Sequence, residues 1–252
     1  MPIDFSFSLP PETLLILLVG VFLVAVLYSS VGHAGASGYI AVMSLLSFAP
    51  AVIKPSALAL NVLVASIATW QFYRAGHFSW RLFWPFAVLA VPLAFVGGYI
   101  VLPTQGFKLL MGVVLVYSAL RLVLPASAEK PSVSPAIPVA VGVGAGIGLL
   151  SGLTGTGGGI FLTPLLLFLG WAKAKQAAAV SAAFILLNSV AGLLGNLSNS
   201  GQLPNFLLPL LVVAGAGGYL GSRMGSSRFP ATLIKQFLAL VLLIAGVKFL
   251  LT

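Results

Sequence analysis

Two glycine-rich runs interrupt an otherwise apolar chain: Gly32-His33-Ala34-Gly35-Ala36-Ser37-Gly38 and Gly155-Thr156-Gly157-Gly158-Gly159. Each follows a long apolar segment and precedes a short one. Such a break at membrane depth frees backbone amides and carbonyls that lipid cannot satisfy. Both runs must therefore be enclosed by protein or line a cavity. Equivalent breaks, one in each half of a chain, are the sequence mark of a binding site at the centre of a transport protein.

Composition supplies the membrane. Of 252 residues, 60% are hydrophobic and only 6% charged, with a mean hydropathy of +1.16. No soluble domain has that balance, so the class is an all-α, polytopic integral membrane protein. The acids are Asp4, Glu12 and Glu129, and twelve Lys and Arg bring the formal charge to +9. Those basic residues are scattered through short loops without forming a patch, which suits helix orientation and not nucleic acid. The absence of cysteine excludes disulfides and thiolate metal sites. The N-terminus has no basic n-region, so the first apolar segment is expected to remain as a span and not be cleaved as a signal peptide.

Ten apolar segments are expected, at roughly 13–31, 38–53, 55–73, 80–101, 107–124, 136–153, 159–171, 174–197, 203–223 and 230–251. The halves resemble each other. Gly32 and Gly35 align with Gly155 and Gly158, Ile53-Lys54 with Ala174-Lys175, Gly76 with Gly201, and Gly97-Gly98-Tyr99 with Gly217-Gly218-Tyr219. The expected organisation is a first repeat over 1–124, a cytoplasmic linker over 125–135 and a second repeat over 136–252. Each repeat would hold four full spans and one short broken helix.

Charge orients this layout. If all ten segments cross, one side holds Arg74, Arg81, Arg121, Lys130, Lys173, Lys175, Arg223 and Arg228, with Lys235 close by. The other holds Lys54, Lys108 and Lys248. If the short segments turn back without crossing, the split falls to seven against five. The positive-inside rule favours nine against three. Five crossings per repeat make the repeats inverted, with both termini outside. The short segments, at 1.5 Å per residue, reach roughly 20–24 Å, less than the ~30 Å hydrocarbon core. The glycine breaks should then approach from opposite sides and meet near the midplane. Each opens a helix N-terminus whose free N–H groups and positive dipole end suit an anion.

Candidate binding residues follow from that placement. They are His33, Gly35, Ser37 and Gly38 in the first run, and Thr156, Gly157, Gly158 and Gly159 in the second. Asn61 and Ser181, one to two turns into the third and eighth segments, complete the set. His33 is the ionisable group placed deepest. An imidazole there would donate to an oxyanion or, protonated, pair with it; the alternative is a histidine satisfied by backbone carbonyls. The hydroxyls of Ser37, Thr154, Thr156 and Thr163 would donate to substrate or cap the short helices. Asn188 and Ser66 read as interhelical glue, and His77 as a loop residue. Gly142-xxx-Gly146 and Gly217-xxx-Gly221-xxx-Gly225 have the spacing of close helix packing; Gly158→Leu is expected to abolish transport, and Gly144→Ala, in a packing helix, to be much milder. Trp70, Trp80, Trp84 and Trp171 fall near segment ends, as an interfacial belt would.

The run Gly155-Thr-Gly-Gly-Gly-Ile-Phe-Leu-Thr-Pro164 resembles the signature of the TauE/SafE sulfite exporter family, also called the toluene-sulfonate uptake permease family. The first glycine run, the two Gly-Gly-Tyr triplets and the duplicated layout fit the same family, and the resemblance covers nearly the whole chain. It implies transport of small sulfur-containing anions such as sulfite or organosulfonates across the inner membrane. Here Ala34, Ala36 and His33 replace a purer glycine run. The implied partners are a small anion and the lipid bilayer; a homodimer is compatible, and nucleic acid is not expected. No cofactor, metal or catalytic residue is expected. An ATP-driven pump lacks its phosphate loop, and a membrane enzyme or assembly factor lacks a nucleophile–base pair. An anion channel of the same fold is the alternative to a carrier.

Overall fold

The computed structural model describes residues 9–30, 32–123, 133–200, 202–225 and 232–251. The expected linker lies outside them except for its last three residues. Ten α-helices follow one another: α1 (Pro11–Ser30), α2 (Ala36–Leu45), α3 (Pro50–Arg74), α4 (Trp80–Tyr99), α5 (Thr104–Val123), α6 (Ile137–Thr154), α7 (Gly159–Phe168), α8 (Ala174–Ser200), α9 (Leu207–Gly225) and α10 (Thr232–Leu251). Six of them, α1, α3, α4, α6, α8 and α9, are long and apolar enough over their described residues to cross a membrane. At ten residues each, α2 and α7 are about 15 Å long and cannot span alone.

Glycine rows set the packing, because small residues let helix backbones approach where lipid gives no hydrophobic drive. A Cβ on Gly144, Gly148 or Gly152 of α6 would collide with the carbonyl of Phe86, Ala90 or Ala94 of α4. The two series rise together, so α4 and α6 run parallel. Likewise Gly217 and Gly221 of α9 press on the carbonyls of Phe22 and Val26 of α1, and those helices are parallel too. In α3 and α8 the order reverses: Leu58 lies by Gly192 and Asn61 by Ser189, an antiparallel pair. Gly112 of α5 meets Leu250 and the Gly246 carbonyl of α10, again antiparallel. Each of these pairs joins the first half of the chain to the second.

The expected glycine spacing in α6 is corrected by one face. Gly142 and Gly146 have open space where a Cβ would stand, and the packed row is Gly144-Gly148-Gly152. Expectation also placed a boundary at Lys54, between two segments. Instead α2 ends at Leu45 and α3 begins at Pro50, so Lys54 lies inside α3. Its ammonium donates to the carbonyls of Gly97, Gly98 and Ile100 at 3.1, 3.0 and 3.1 Å. These are the orphan carbonyls at the C-terminus of α4, where the dipole favours a cation. Lys248 does the same for α2, donating to the Ser44 carbonyl at 2.8 Å. Trp70 and Trp80 are exposed, as a belt requires, whereas Trp171 packs on Phe86.

Candidate functional site

The first break starts as a helix C-cap. The amides of Gly32 and His33 donate to the carbonyls of Ser29 and Tyr28, and Gly32 has φ +80°. That pairing is a Schellman motif, which a left-handed glycine completes. Gly35, also left-handed at φ 104°, then opens α2. The second break has three left-handed glycines in four residues, Gly155, Gly157 and Gly158, and Gly158 opens α7. Neither α2 nor α7 has a side-chain cap. The hydroxyls that could have capped them bond elsewhere. Ser37 Oγ lies 2.7 Å from Tyr28 OH, and Thr156 Oγ1 lies 2.9 Å from Thr154 Oγ1. Both helix N-termini therefore keep amide donors without a competing side chain.

The two breaks adjoin. A Cβ on Gly159 would stand 3.6 Å from His33 Cδ2, so the imidazole of the first break sits beside the N-terminus of α7. His33 is half-buried and edge-on to Tyr28, with ring centroids 6.4 Å apart. A Cβ on Gly157 would fall 2.7 Å from Asn61 Nδ2 and 2.8 Å from Ser189 Oγ. Asn61 is fully buried at the middle of α3 and donates to Ser189 Oγ at 3.3 Å, while its Oδ1 has no partner. An unpaired buried amide oxygen is costly unless something completes its bonding. Turning the amide over would let the Ser189 hydroxyl bond Oδ1 and release both N–H donors toward a ligand.

Of the expected residues, His33, Asn61, Gly157 and Gly159 are drawn together. Thr156 is buried next to them. The others have different surroundings. Gly158 is walled by Ile147 and Phe184, and Gly38 is pressed onto Val24 and Tyr28 of α1. Gly35 packs on the Tyr39 ring, whose hydroxyl donates to the Ala34 carbonyl at 2.7 Å. Ser181 accepts from Thr163 Oγ1 at 2.7 Å and ties α7 to α8. Asn188 Nδ2 bonds the Phe184 carbonyl of its own helix. Ser189 escaped the sequence reading. Its signal is helical: Ser181, Ile185 and Ser189 recur every four residues and share one face. Lys54 escaped as well. Its backbone carbonyl lies under Gly155, 3.2 Å from where a Cβ would stand, so it braces the second break while holding α4.

A chain whose described residues form only helices, six of them apolar and of membrane length, with two unwound glycine segments meeting between long helices, is a multi-pass membrane protein of the transporter class. The family model described as sulfite exporter TauE/SafE matches residues 16–249, and the chain belongs to that family. A relative from Sinorhizobium fredii, named "Probable membrane transporter protein y4hK", is 41% identical over 239 residues, covering 93% of this chain and 97% of its own. No solved structure matches the chain.

Proposed function

We propose that this transporter carries a small sulfur-containing anion, sulfite or an organosulfonate, across the bacterial inner membrane. One observation carries the reading: the N-terminus of α7 faces His33 across Gly159, one residue-pair from Asn61 and Ser189 at Gly157. Uncapped amides, an imidazole and an amide–hydroxyl pair form a donor-rich, acid-free setting for an oxyanion. Glu12, the one acid among the described residues, heads α1 and is exposed.

The halves act as inverted five-helix repeats in this reading. The parallel pairs α1–α9 and α6–α4 join corresponding elements in exchanged halves, and α3–α8 and α5–α10 join equivalent ones. Rocking one repeat against the other would expose the site alternately to each side. Arg74 and Arg223 end their helices on the face read as cytoplasmic, whereas Lys54 and Lys248 are used as caps on the opposite face. Both termini then lie outside. The description of the family supports sulfite, and the acid-free site supports sulfonates equally.

Counterflow in proteoliposomes tests the reading. Vesicles loaded with unlabelled sulfonate or sulfite should accumulate the labelled anion transiently. Downhill flux without counterflow would mark a channel, and no flux of any sulfur anion would overturn the substrate class.

A further inference from the structure

A cavity of about 680 Å³ lies at the other end of α3, against the start of α8 and the end of α9. Its wall carries Arg74, His77, Lys175 and Arg223 and, among the described residues, no acidic one. Arg74 lies over the Trp70 ring, 5.8 Å from its centroid, and leaves its charge at the rim. Clustered like charge on low-dielectric walls focuses the field and raises the local concentration of the opposite ion. Along α3 the cavity reaches inward to Ser66, with Phe72 lining it nearer the rim. Ser66 is five residues from Asn61 on the same helix, about 7.5 Å along its axis.

Beside the cavity, at the level of residues 68–72 of α3, is a buried apolar layer. Ala68, Phe72, Ala178, Ala179 and Ala182 form one buried cluster where α3 crosses α8. Gly32, the start of the first break, rests on Ala178.

We propose that this cavity is a second oxyanion site, an antechamber at the Arg74 end of α3 that approaches the glycine-break site to within about one and a half helical turns. It rests on the transporter reading for its direction toward the central site, but its ligand chemistry stands on its own charges. It takes a compact sulfonate- or sulfite-like anion from the aqueous phase, holds it loosely and raises its concentration near the central site.

The lack of native cysteine makes a direct test available. Ser66→Cys reports from inside the cavity, and exposed Ser198→Cys serves as reference. Each is labelled with an anionic and a cationic methanethiosulfonate of similar size, in phosphatidylcholine vesicles at low salt. The anionic-to-cationic rate ratio at Ser66→Cys should exceed the reference by on the order of tenfold. Arg74→Gln with Lys175→Gln should return it toward the reference, and excess methanesulfonate should slow the anionic reagent. In transport, the same double substitution should raise KM roughly threefold or more for anion offered from that face alone. A ratio equal to the reference, or one unchanged by neutralisation, overturns the site. Protection by phosphatidylglycerol but not by methanesulfonate also overturns it, since the occupant would be a lipid headgroup. Labelling as expected in a protein that moves no sulfur anion would sink the transport reading and leave the cavity an anion site.

Discussion

Asn61 Nδ2 lies 3.3 Å from Ser189 Oγ, a bond between the middle of α3 and the middle of α8 directly beside Gly157. It links helices from the two halves of the chain at the level where the second break unwinds. Gly157 has φ +74° and no room for a Cβ between Asn61, Ile185 and Ser189. Gly157→Ala therefore combines backbone strain of ~1–2 kcal/mol with displacement of the polar pair. Transport should be lost, and the melting temperature should fall only modestly. Gly158→Ala has similar strain but meets Ile147 and Phe184. It should lower stability more than anion affinity. Thermal melts with binding of a sulfonate separate the two; equal affinity losses would mean that Gly157 does not face the ligand.

Lys54 should be a structural residue of the second break. Replacing it with Met leaves the carbonyls of Gly97, Gly98 and Ile100 without their donor. The Gly97 and Gly98 carbonyls are buried, and each buried group left orphaned costs about 1–3 kcal/mol. Lys54→Met should unfold at clearly lower temperature in detergent, with reduced transport rate but little change in KM. A stable Lys54→Met protein with raised KM would instead make the lysine a substrate contact.

Gly144→Ala should be severe and Gly142→Ala silent. A Cβ at Gly144 meets the Phe86 carbonyl of α4, whereas Gly142 faces open space. The expectation of a comparatively mild Gly144→Ala is reversed by this geometry. Overpacking of this kind typically costs 1–3 kcal/mol. Folded yield and melting temperature of the two variants, side by side, test it, and equal behaviour would refute the parallel α4–α6 packing.

That reversal shows what the sequence could and could not convey. The ten helices and both breaks were legible because hydropathy and glycine runs mark them directly. Which face of α6 packs was not legible, because lipid and protein interior are equally apolar and a membrane helix carries no polar face to betray its orientation. Gly142 and Gly144 look alike until α4 is in place. Lys54 was misread for a related reason: next to Pro55 it looks like a loop charge, and its role depends on the end of α4, more than forty residues away. In the site, His33 and Asn61 stood out as polar residues in an apolar background. Ser189 did not, since serine is common in such helices as a bond to its own backbone.

Orientation should follow the charge split. Ser6 and Ser132 lie outside the described residues, and each can be replaced by cysteine in this cysteine-free chain. An impermeant thiol reagent applied to intact cells should label Ser6→Cys and spare Ser132→Cys. The opposite pattern would invert the arrangement and place the Arg74–Lys175–Arg223 cavity outside.

His33 decides whether a titrating group takes part in binding. It is the residue of the first break that adjoins the N-terminus of α7, and imidazole is the one side chain that ordinarily changes charge near neutral pH. If imidazolium pairs with the anion, the favourable charge is present at low pH and disappears as the ring loses its proton. Affinity should then weaken as pH rises. His33→Gln keeps a donor and removes the titration, so it should retain part of the affinity with a flat pH profile. His33→Ala should lose both. The measurement needs an anion that does not itself titrate in this range: methanesulfonate meets that condition and sulfite does not. Wild-type affinity and pH dependence in His33→Ala would make the ring structural, and leave the site to the α7 amides with Asn61 and Ser189.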